Sequence, residues 1–167
     1  MAATATPDGG DWILDGSKVL VLDAQVADSF VLIASSAGQP GDTAGLCAFV
    51  VDADSEGLAV ERRSMVDSRN AGALTLQGVR VPGSSLLGTA GDAWEGLARA
   101  LDIANIGIAA ELLGLSCEAF ERTVGYLQER KQFGRVIGSF QGLQHRAAEL
   151  FAELELARSI VLQALQA

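Results

Sequence analysis

The sequence has few of the side chains on which metal, disulfide and triad chemistry depend. Its 167 residues include two cysteines, Cys47 and Cys117, and a single histidine, His145. Two cysteines so far apart fit neither a zinc spacing nor a disulfide framework. Both lie in apolar runs, which predicts buried thiols in a reducing, cytoplasmic protein. A serine triad is disfavoured because His145 is the one candidate base and no nucleophile elbow is present.

Positive charge is also scarce. Twelve Lys and Arg residues against 21 Asp and Glu give a net charge of −9, which argues against a nucleic-acid partner because such a protein needs a basic face. Residues 1–10 have neither a basic start nor an apolar core, so we expect no signal peptide. The most apolar segment, residues 101–117, contains Asp102, Asn105 and Glu111, so we expect no membrane span.

Hydrophobic residues are plentiful at 49%, and in the first half of the chain they form short runs. Trp12 to Leu14 precede Asp15-Gly16, a hairpin turn signal, and an extended pattern resumes through residues 18–22. Further strands are predicted at residues 30–33, 46–51 and 73–81, the last with a bulge at Gly78. No helical pattern separates these strands, so we expect an antiparallel β-barrel or sandwich over residues 1–88.

The hydrophobic period changes near residue 91. Residues 92–129 and 140–167 show helical spacing, which predicts two long antiparallel helices of an up-down bundle and hence an α+β fold with a second domain at residues 89–167. The centre of the first helix, residues 103–115, is apolar nearly all round and should be buried on several sides. Two helices and a small sheet cannot cover it. We therefore expect a piece of a larger protein, or a chain that relies on partner chains in an oligomer.

The segment between the two helices concentrates side chains suited to a large planar, phosphate-bearing ligand. Arg130 can bind a phosphate through two parallel hydrogen bonds. Gln132 and Gln141 offer amide donors, and Phe133 and Phe140 offer apolar walls for a ring system. From the residues alone, a solvated corner with an arginine placed favourably at a helix C-terminus is an equal alternative.

Residues 130–141, Arg-Lys-Gln-Phe-Gly-Arg-Val-Ile-Gly-Ser-Phe-Gln, resemble the signature that joins two helices in the C-terminal bundle of the acyl-CoA dehydrogenases. The resemblance covers nearly the whole chain. Residues 12–18 are similar to a strand–turn–strand of that family's middle β domain, residues 26–34 to the strand that follows, and residues 77–82 to the exit from that domain. By this resemblance the chain looks truncated, without the N-terminal helical domain and the last helices of the bundle.

The resemblance implies that the segment between the helices contacts the FAD of a neighbouring subunit. Carried over residue by residue, the cofactor-binding positions are Arg130, Gln132, Phe133, Ile137, Phe140 and Gln141. Leu20 and Leu22 stand where many members place an aromatic residue and a Thr or Ser beside the flavin. Contact at those two positions would therefore come from backbone amides.

The resemblance implies two positions for a catalytic base, one on the long helix and one further along the family's chain, past residue 167, and we expect no base at either position in this sequence. Asp102 and Asn105 fall in the run that matches an Asp-x-Glu-Arg pattern of some members, which makes them tentative substrate-binding residues. Ala104 holds the base position, so no catalytic residue is assigned. Glu111 and His145 are the remaining candidates, and roles at a wet helix edge and at the protein surface are favoured for them.

By resemblance, the expected function is that of an acyl-CoA dehydrogenase, an FAD-dependent oxidoreductase of fatty acid or lipid metabolism that desaturates an acyl-CoA thioester between its α and β carbons. The implied partners are the acyl-CoA substrate, an electron-transfer flavoprotein and further subunits, identical or related. Two alternatives stay open. The chain could be a non-catalytic subunit that shares FAD within a hetero-oligomeric dehydrogenase, or it could be an inactive fragment.

Overall fold

In a computed structural model of the chain, which describes residues 3–39 and 41–167, the polypeptide divides into two compact units, Met1–Ala98 and Arg99–Ala167. The domain boundary expected near residue 88 stays a prediction. The strands of the first unit are β1 Ala3–Asp8, β2 Asp11–Leu22, β3 Ser29–Ser35, β4 Leu46–Asp52, β5 Leu58–Ser64, β6 Asn70–Pro82 and β7 Leu86–Leu87. After them come helix α1 Trp94–Glu129, strands β8 Lys131–Gln132 and β9 Arg135–Val136, and helix α2 Gln141–Ala164.

Strands β1 to β7 form one open sheet in the order β5-β6-β2-β1-β3-β4-β7. The predicted α+β class is confirmed, whereas closure into a barrel is not observed in the sheet that the structure describes. One neighbouring pair also departs from the antiparallel prediction, because β1 and β3 are parallel, at Thr4 and Ser35. The reason is geometric. The chain reverses direction between β1 and β2 and again between β2 and β3, so β3 runs in the same direction as β1 and lies on its other side.

The hairpin predicted at Asp15-Gly16 is wrong, because β2 continues through these residues. The reversal lies at Gly9 and Gly10, whose φ angles of 63° and 99° fall in the left-handed region that glycine tolerates. Asp15 instead faces the bulge predicted at Gly78, which is confirmed. Its Oδ1 atom accepts a 2.7 Å hydrogen bond from the Gly78 amide, at the register shift in the β2–β6 pairing.

The core of the first unit lies on one face of this sheet. Its largest fully buried side chains are Phe49, Leu14, Leu74, Val51 and Val79. The ring of Trp12 packs edge-on against that of Phe49, with 5.4 Å between ring centroids. Each such side chain stabilises the fold by about 1.5–3 kcal/mol through burial, which makes this sheet the well-packed part of the chain.

The two helices of the second unit pack antiparallel, and neither contains a fully buried residue. Phe120 contacts Phe151 with ring centroids 6.2 Å apart, and Arg158 Nη2 lies 3.5 Å from Cys117 Sγ. Cys117 was predicted to be buried but is only half-buried, whereas Cys47 is buried as predicted. Among the described residues of this unit, α2 and the segment that joins the two helices contact α1. The apolar circumference of α1 stays largely exposed, in line with the expectation that two helices and a small sheet cannot cover it.

Helix α1 is long and apolar enough to cross a membrane by length and composition alone. One 18-residue window has a mean hydropathy of 1.5 and at most two charged residues. Core helices of soluble proteins pass the same test. The presence of Asp102, Asn105 and Glu111 therefore does not exclude a span, and the expected absence of one stays a prediction.

Candidate functional site

The segment predicted to bind a cofactor folds into a tight corner that joins α1 to α2. The Arg130 amide donates to the Tyr126 carbonyl at 2.9 Å, and the Arg130 carbonyl accepts from the Ile137 amide at 2.8 Å. Between these bonds β8 and β9 form a two-stranded hairpin with Phe133 and Gly134 at its tip. A single short turn thus brings six predicted residues together: Arg130, Gln132, Phe133, Ile137, Phe140 and Gln141.

Phe133 is the most unusual residue of the corner. Its φ angle of 54° is left-handed, a conformation that costs a non-glycine residue roughly 1–2 kcal/mol, and its side chain is 90% exposed. The ring stands edge-on to Phe140, with centroids 6.2 Å apart, and the Arg135 guanidinium lies 4.0 Å above the Phe140 ring. A strained, exposed aromatic residue that is held by its neighbours is typical of a ligand-contacting position.

The polar groups of the corner are accessible. Arg130, Gln132 and Gln141 are all exposed, and Gln141 is the first residue of α2. The Gln132 amide nitrogen donates at 2.8 Å to the Lys131 carbonyl, which holds the side chain against the hairpin. A cation, two amides and two rings form a set of groups that matches the phosphates and ring systems of a dinucleotide. The corner is open, so these groups form one accessible surface.

A glycine makes this corner possible. A Cβ atom added at Gly138 would lie 2.7 Å from the Leu127 carbonyl oxygen and 3.1 Å from its carbonyl carbon. Gly138 therefore lets the chain that follows the hairpin lie directly on the last turns of α1. This contact fixes the direction in which Phe140 and α2 leave the corner.

Leu20 and Leu22 lie in the other unit, along a groove of about 400 Å³ between β2 and β3. Both side chains are exposed, and Leu20 has a left-handed φ of 55° at a register shift between β2 and β6. Lys18, which sequence reasoning did not assign to a site, also lines the groove, and its Nζ donates to the Ile33 carbonyl. Burial lowers the pKa of Lys18. The sequence contained a signal for this position: side chains alternate along a strand, so Lys18 lies on the same face of β2 as the buried Leu14.

The tentative substrate residues lie far from the corner. Asp102 and Asn105 are exposed, one turn apart on α1, and 28 residues separate Asp102 from Arg130, or about 42 Å at 1.5 Å per residue. Glu111 and His145 are also exposed, as favoured above. In the described part of the chain no group of three or more His, Cys, Asp or Glu side chains could hold a metal ion.

Two protein-family models match the chain: "Acyl-CoA dehydrogenase, middle domain" over residues 1–79 and "Acyl-CoA dehydrogenase, C-terminal domain" over residues 91–167. The short/branched chain specific acyl-CoA dehydrogenase, mitochondrial, of Bos taurus is 36% identical over 98% of this chain and 38% of its own length. A subunit of the caffeyl-CoA reductase-Etf complex of Acetobacterium woodii is 29% identical over 98% and 44%.

A solved structure has the same fold. The crystal structure of glutaryl-CoA dehydrogenase from Mycobacterium smegmatis matches 98% of this chain and 41% of its own, with a TM-score of 0.82 and 31% sequence identity. The chain therefore spans about two fifths of the length of these relatives, 38% to 44%.

Proposed function

Because the chain belongs to the acyl-CoA dehydrogenase family, whose members are FAD-dependent oxidoreductases of fatty acid metabolism, we propose that it takes part in the α,β-desaturation of an acyl-CoA thioester. The observation that supports this best is the corner between α1 and α2. It presents a guanidinium, two amides and two aromatic rings on one accessible surface.

In the proposed site each group of the corner has a distinct task. Arg130 binds a phosphate of FAD, and Gln132 and Gln141 donate to its polar edges. Phe133 and Phe140 give its rings an apolar surface, beside the half-buried Ile137. When bound, FAD supplies the two-electron acceptor, while the protein binds and orients it.

Leu20 and Leu22 are both exposed, and they are proposed to contact FAD through their backbone amides in place of the hydroxyl used by many members. Asp102 and Asn105 are proposed to bind the substrate through a carboxylate and an amide. Ala104 cannot accept a proton, so the α-proton of the substrate must be taken by a group that has not been assigned in this chain.

A cofactor-sharing subunit is the second candidate function. It is favoured by the exposed apolar surface of α1 and by Phe133, which is 90% exposed. Burial of these apolar groups would stabilise the protein only if another chain covered them. The proposed partners are copies of this chain or a related dehydrogenase subunit, with an electron-transfer flavoprotein as electron acceptor. The Acetobacterium woodii relative, a subunit of an Etf complex, supports the last of these. The proposed compartment is the cytoplasm.

The test is the flavin content of Arg130→Ala, measured by absorbance in the assembly that the chain forms with a co-expressed dehydrogenase subunit. A charge-assisted hydrogen bond contributes about 1.5–3 kcal/mol, so the affinity for FAD should fall roughly 10- to 100-fold. Arg122→Ala is the matched control, because it removes the same charge from α1 about 12 Å before the corner. Equal flavin occupancy in the two variants would refute the assignment of Arg130, and an assembly without flavin in the unmodified chain would refute the proposed function.

A further inference from the structure

The hairpin between α1 and α2 has an unusual residue at its tip. Gln132 and Arg135 are paired across β8 and β9, so only Phe133 and Gly134 remain to reverse the chain. Their φ angles are 54° and 79°, and loops with two positive φ angles favour Asn, Asp or Gly first and Gly second. Phenylalanine is poorly suited to the first of these positions. The folding of the hairpin therefore does not by itself account for Phe133.

The ring of Phe133 is oriented by one aromatic neighbour. It stands edge-on to the half-buried Phe140, with centroids 6.2 Å apart and an interplanar angle of 81°. Among the residues that the structure describes, no other ring pairs with Phe133. Because edge-to-face pairs have a defined geometry, the orientation of the Phe133 ring depends on that of Phe140.

Arg135 in turn restrains Phe140. The central carbon of its guanidinium lies 4.0 Å from the centroid of the Phe140 ring, which is well inside the distance of about 6 Å for a cation–π interaction. The guanidinium is planar and stacks on aromatic faces, which a compact ammonium does less well. Arg135, Phe140 and Phe133 therefore form a continuous row, in which each side chain contacts the next.

The charges of the corner leave Arg135 free for this contact. Residues 130–146 contain no Asp or Glu, although the whole chain has a net charge of −9, and they contain four Lys or Arg side chains: Arg130, Lys131, Arg135 and Arg146. None of the four forms an ion pair with a described residue. No carboxylate therefore draws the Arg135 guanidinium away from the ring.

We propose that Arg135 is a positioning residue of the cofactor site, whose guanidinium fixes the Phe140 ring and thereby holds the Phe133 ring in the orientation that contacts FAD. The inference rests on the proposed function, because it takes Phe133 and Phe140 as contacts of FAD. It gives Arg135 a role different from that of Arg130, which is proposed to bind a phosphate directly. It also accounts for Phe133, since strained residues persist where their neighbours hold them for a ligand.

The test is a double-mutant cycle on the affinity for FAD, titrated into the flavin-depleted assembly that the chain forms with a co-expressed dehydrogenase subunit. Arg135→Gln removes the cation and should lower the affinity about two- to fivefold, the loss expected for an exposed cation–π interaction. Arg135→Lys keeps a cation above the ring and should lower the affinity less. In the Phe140→Leu background Arg135→Gln should have no further effect, because the ring through which Arg135 acts is gone.

Arg146→Gln is the matched control, because it removes the same charge from α2 and Arg146 contacts no aromatic ring in the described chain. Its effect should be the same with Phe or Leu at position 140. Equal losses from Arg135→Gln in both backgrounds would show that Arg135 binds FAD directly and would overturn the proposal. An unchanged affinity in Arg135→Gln, while Arg130→Ala weakens binding, would also overturn it. An unmodified assembly without flavin would refute the proposed function, and this inference with it.

The role of Phe133 is tested separately, in the chain without flavin. Phe133→Asn places a residue that favours positive φ in the loop and removes a side chain that is 90% exposed, so the urea midpoint should rise. In the assembly the same variant should bind FAD more weakly. A lower midpoint would show that the fold itself requires Phe133, and this outcome would contradict the proposal.

Discussion

Replacing Gly138 by alanine should open the corner that carries the proposed FAD contacts. The added Cβ would lie 2.7 Å from the Leu127 carbonyl oxygen, whereas carbon–oxygen contacts in proteins are about 3.3 Å or longer. The chain at Gly138 must therefore move about 0.6 Å away from α1. The obstacle is backbone rather than a flexible side chain, so the shift passes to Phe140 and to the start of α2.

The expected cost is that of overpacking, about 1–3 kcal/mol. Gly142→Ala is the matched control, since the same methyl group is added four residues later, inside the first turn of α2, where nothing lies within 4 Å. There alanine replaces a poor helix former and should stabilise the helix by up to about 1 kcal/mol. The two substitutions should therefore differ in sign.

Urea unfolding followed by far-UV circular dichroism measures this contrast, because α1 and α2 dominate the helical signal. We expect a lower midpoint for Gly138→Ala and an equal or higher midpoint for Gly142→Ala. In the flavin-binding assembly, Gly138→Ala should also lower FAD occupancy, because Phe140 moves. Equal midpoints for the two variants would show that the close contact with Leu127 does not determine the corner.

Two further outcomes follow from the buried and half-buried polar groups. A thiol reagent should modify Cys117 in the folded chain and reach Cys47 only on unfolding, because Cys47 is fully buried and its sulfur accepts the Gly91 amide at 3.1 Å; two fast-reacting thiols would contradict this. Burial lowers the pKa of Lys18 from its usual 10.5. Between this lowered pKa and 10.5 the unfolded chain binds more protons than the folded chain, so the free energy of unfolding should rise with pH over that range. Lys18→Met should lack this rise, and parallel pH profiles of unfolding would refute it.

The helices and the corner could be predicted because their signals are local. Helical periodicity placed α1 and α2 within a few residues of their observed bounds, and the corner residues are neighbours in sequence. Strands β1 and β5 were missed for physical reasons. Strand β1 consists of two alanines, two threonines, a proline and an aspartate, none of which is a strong strand signal except threonine. Strand β5 carries Glu61, Arg62 and Arg63 because it is an exposed edge strand. Asp15-Gly16 has the composition of a turn, yet its tertiary partner is the bulge at Gly78.

The groove between β2 and β3 could not be predicted, because it arises from strand order. The left-handed φ of Leu20 and the hydrogen bond from Lys18 to the Ile33 carbonyl occur where β2 and β3 extend past β1. Nothing local in residues 18–33 shows that β1 separates them. The predicted cofactor residues Leu20 and Leu22 were therefore placed correctly in a strand, whereas their exposure on a free sheet edge became visible only in the fold.

The two units differ in how far they satisfy their own hydrophobic surface, and this difference determines what the chain needs from other polypeptide. The sheet buries Phe49, Leu14 and Leu74 completely, and its exposed side chains Leu20 and Leu22 line the groove between β2 and β3. The helices bury nothing completely, although α1 alone spans 36 residues with the hydropathy of a core helix. The proposed FAD contacts at Phe133 lie on the unit that is less complete. Cofactor binding and the covering of α1 should therefore be coupled, and flavin retention should depend on the concentration of the partner chain.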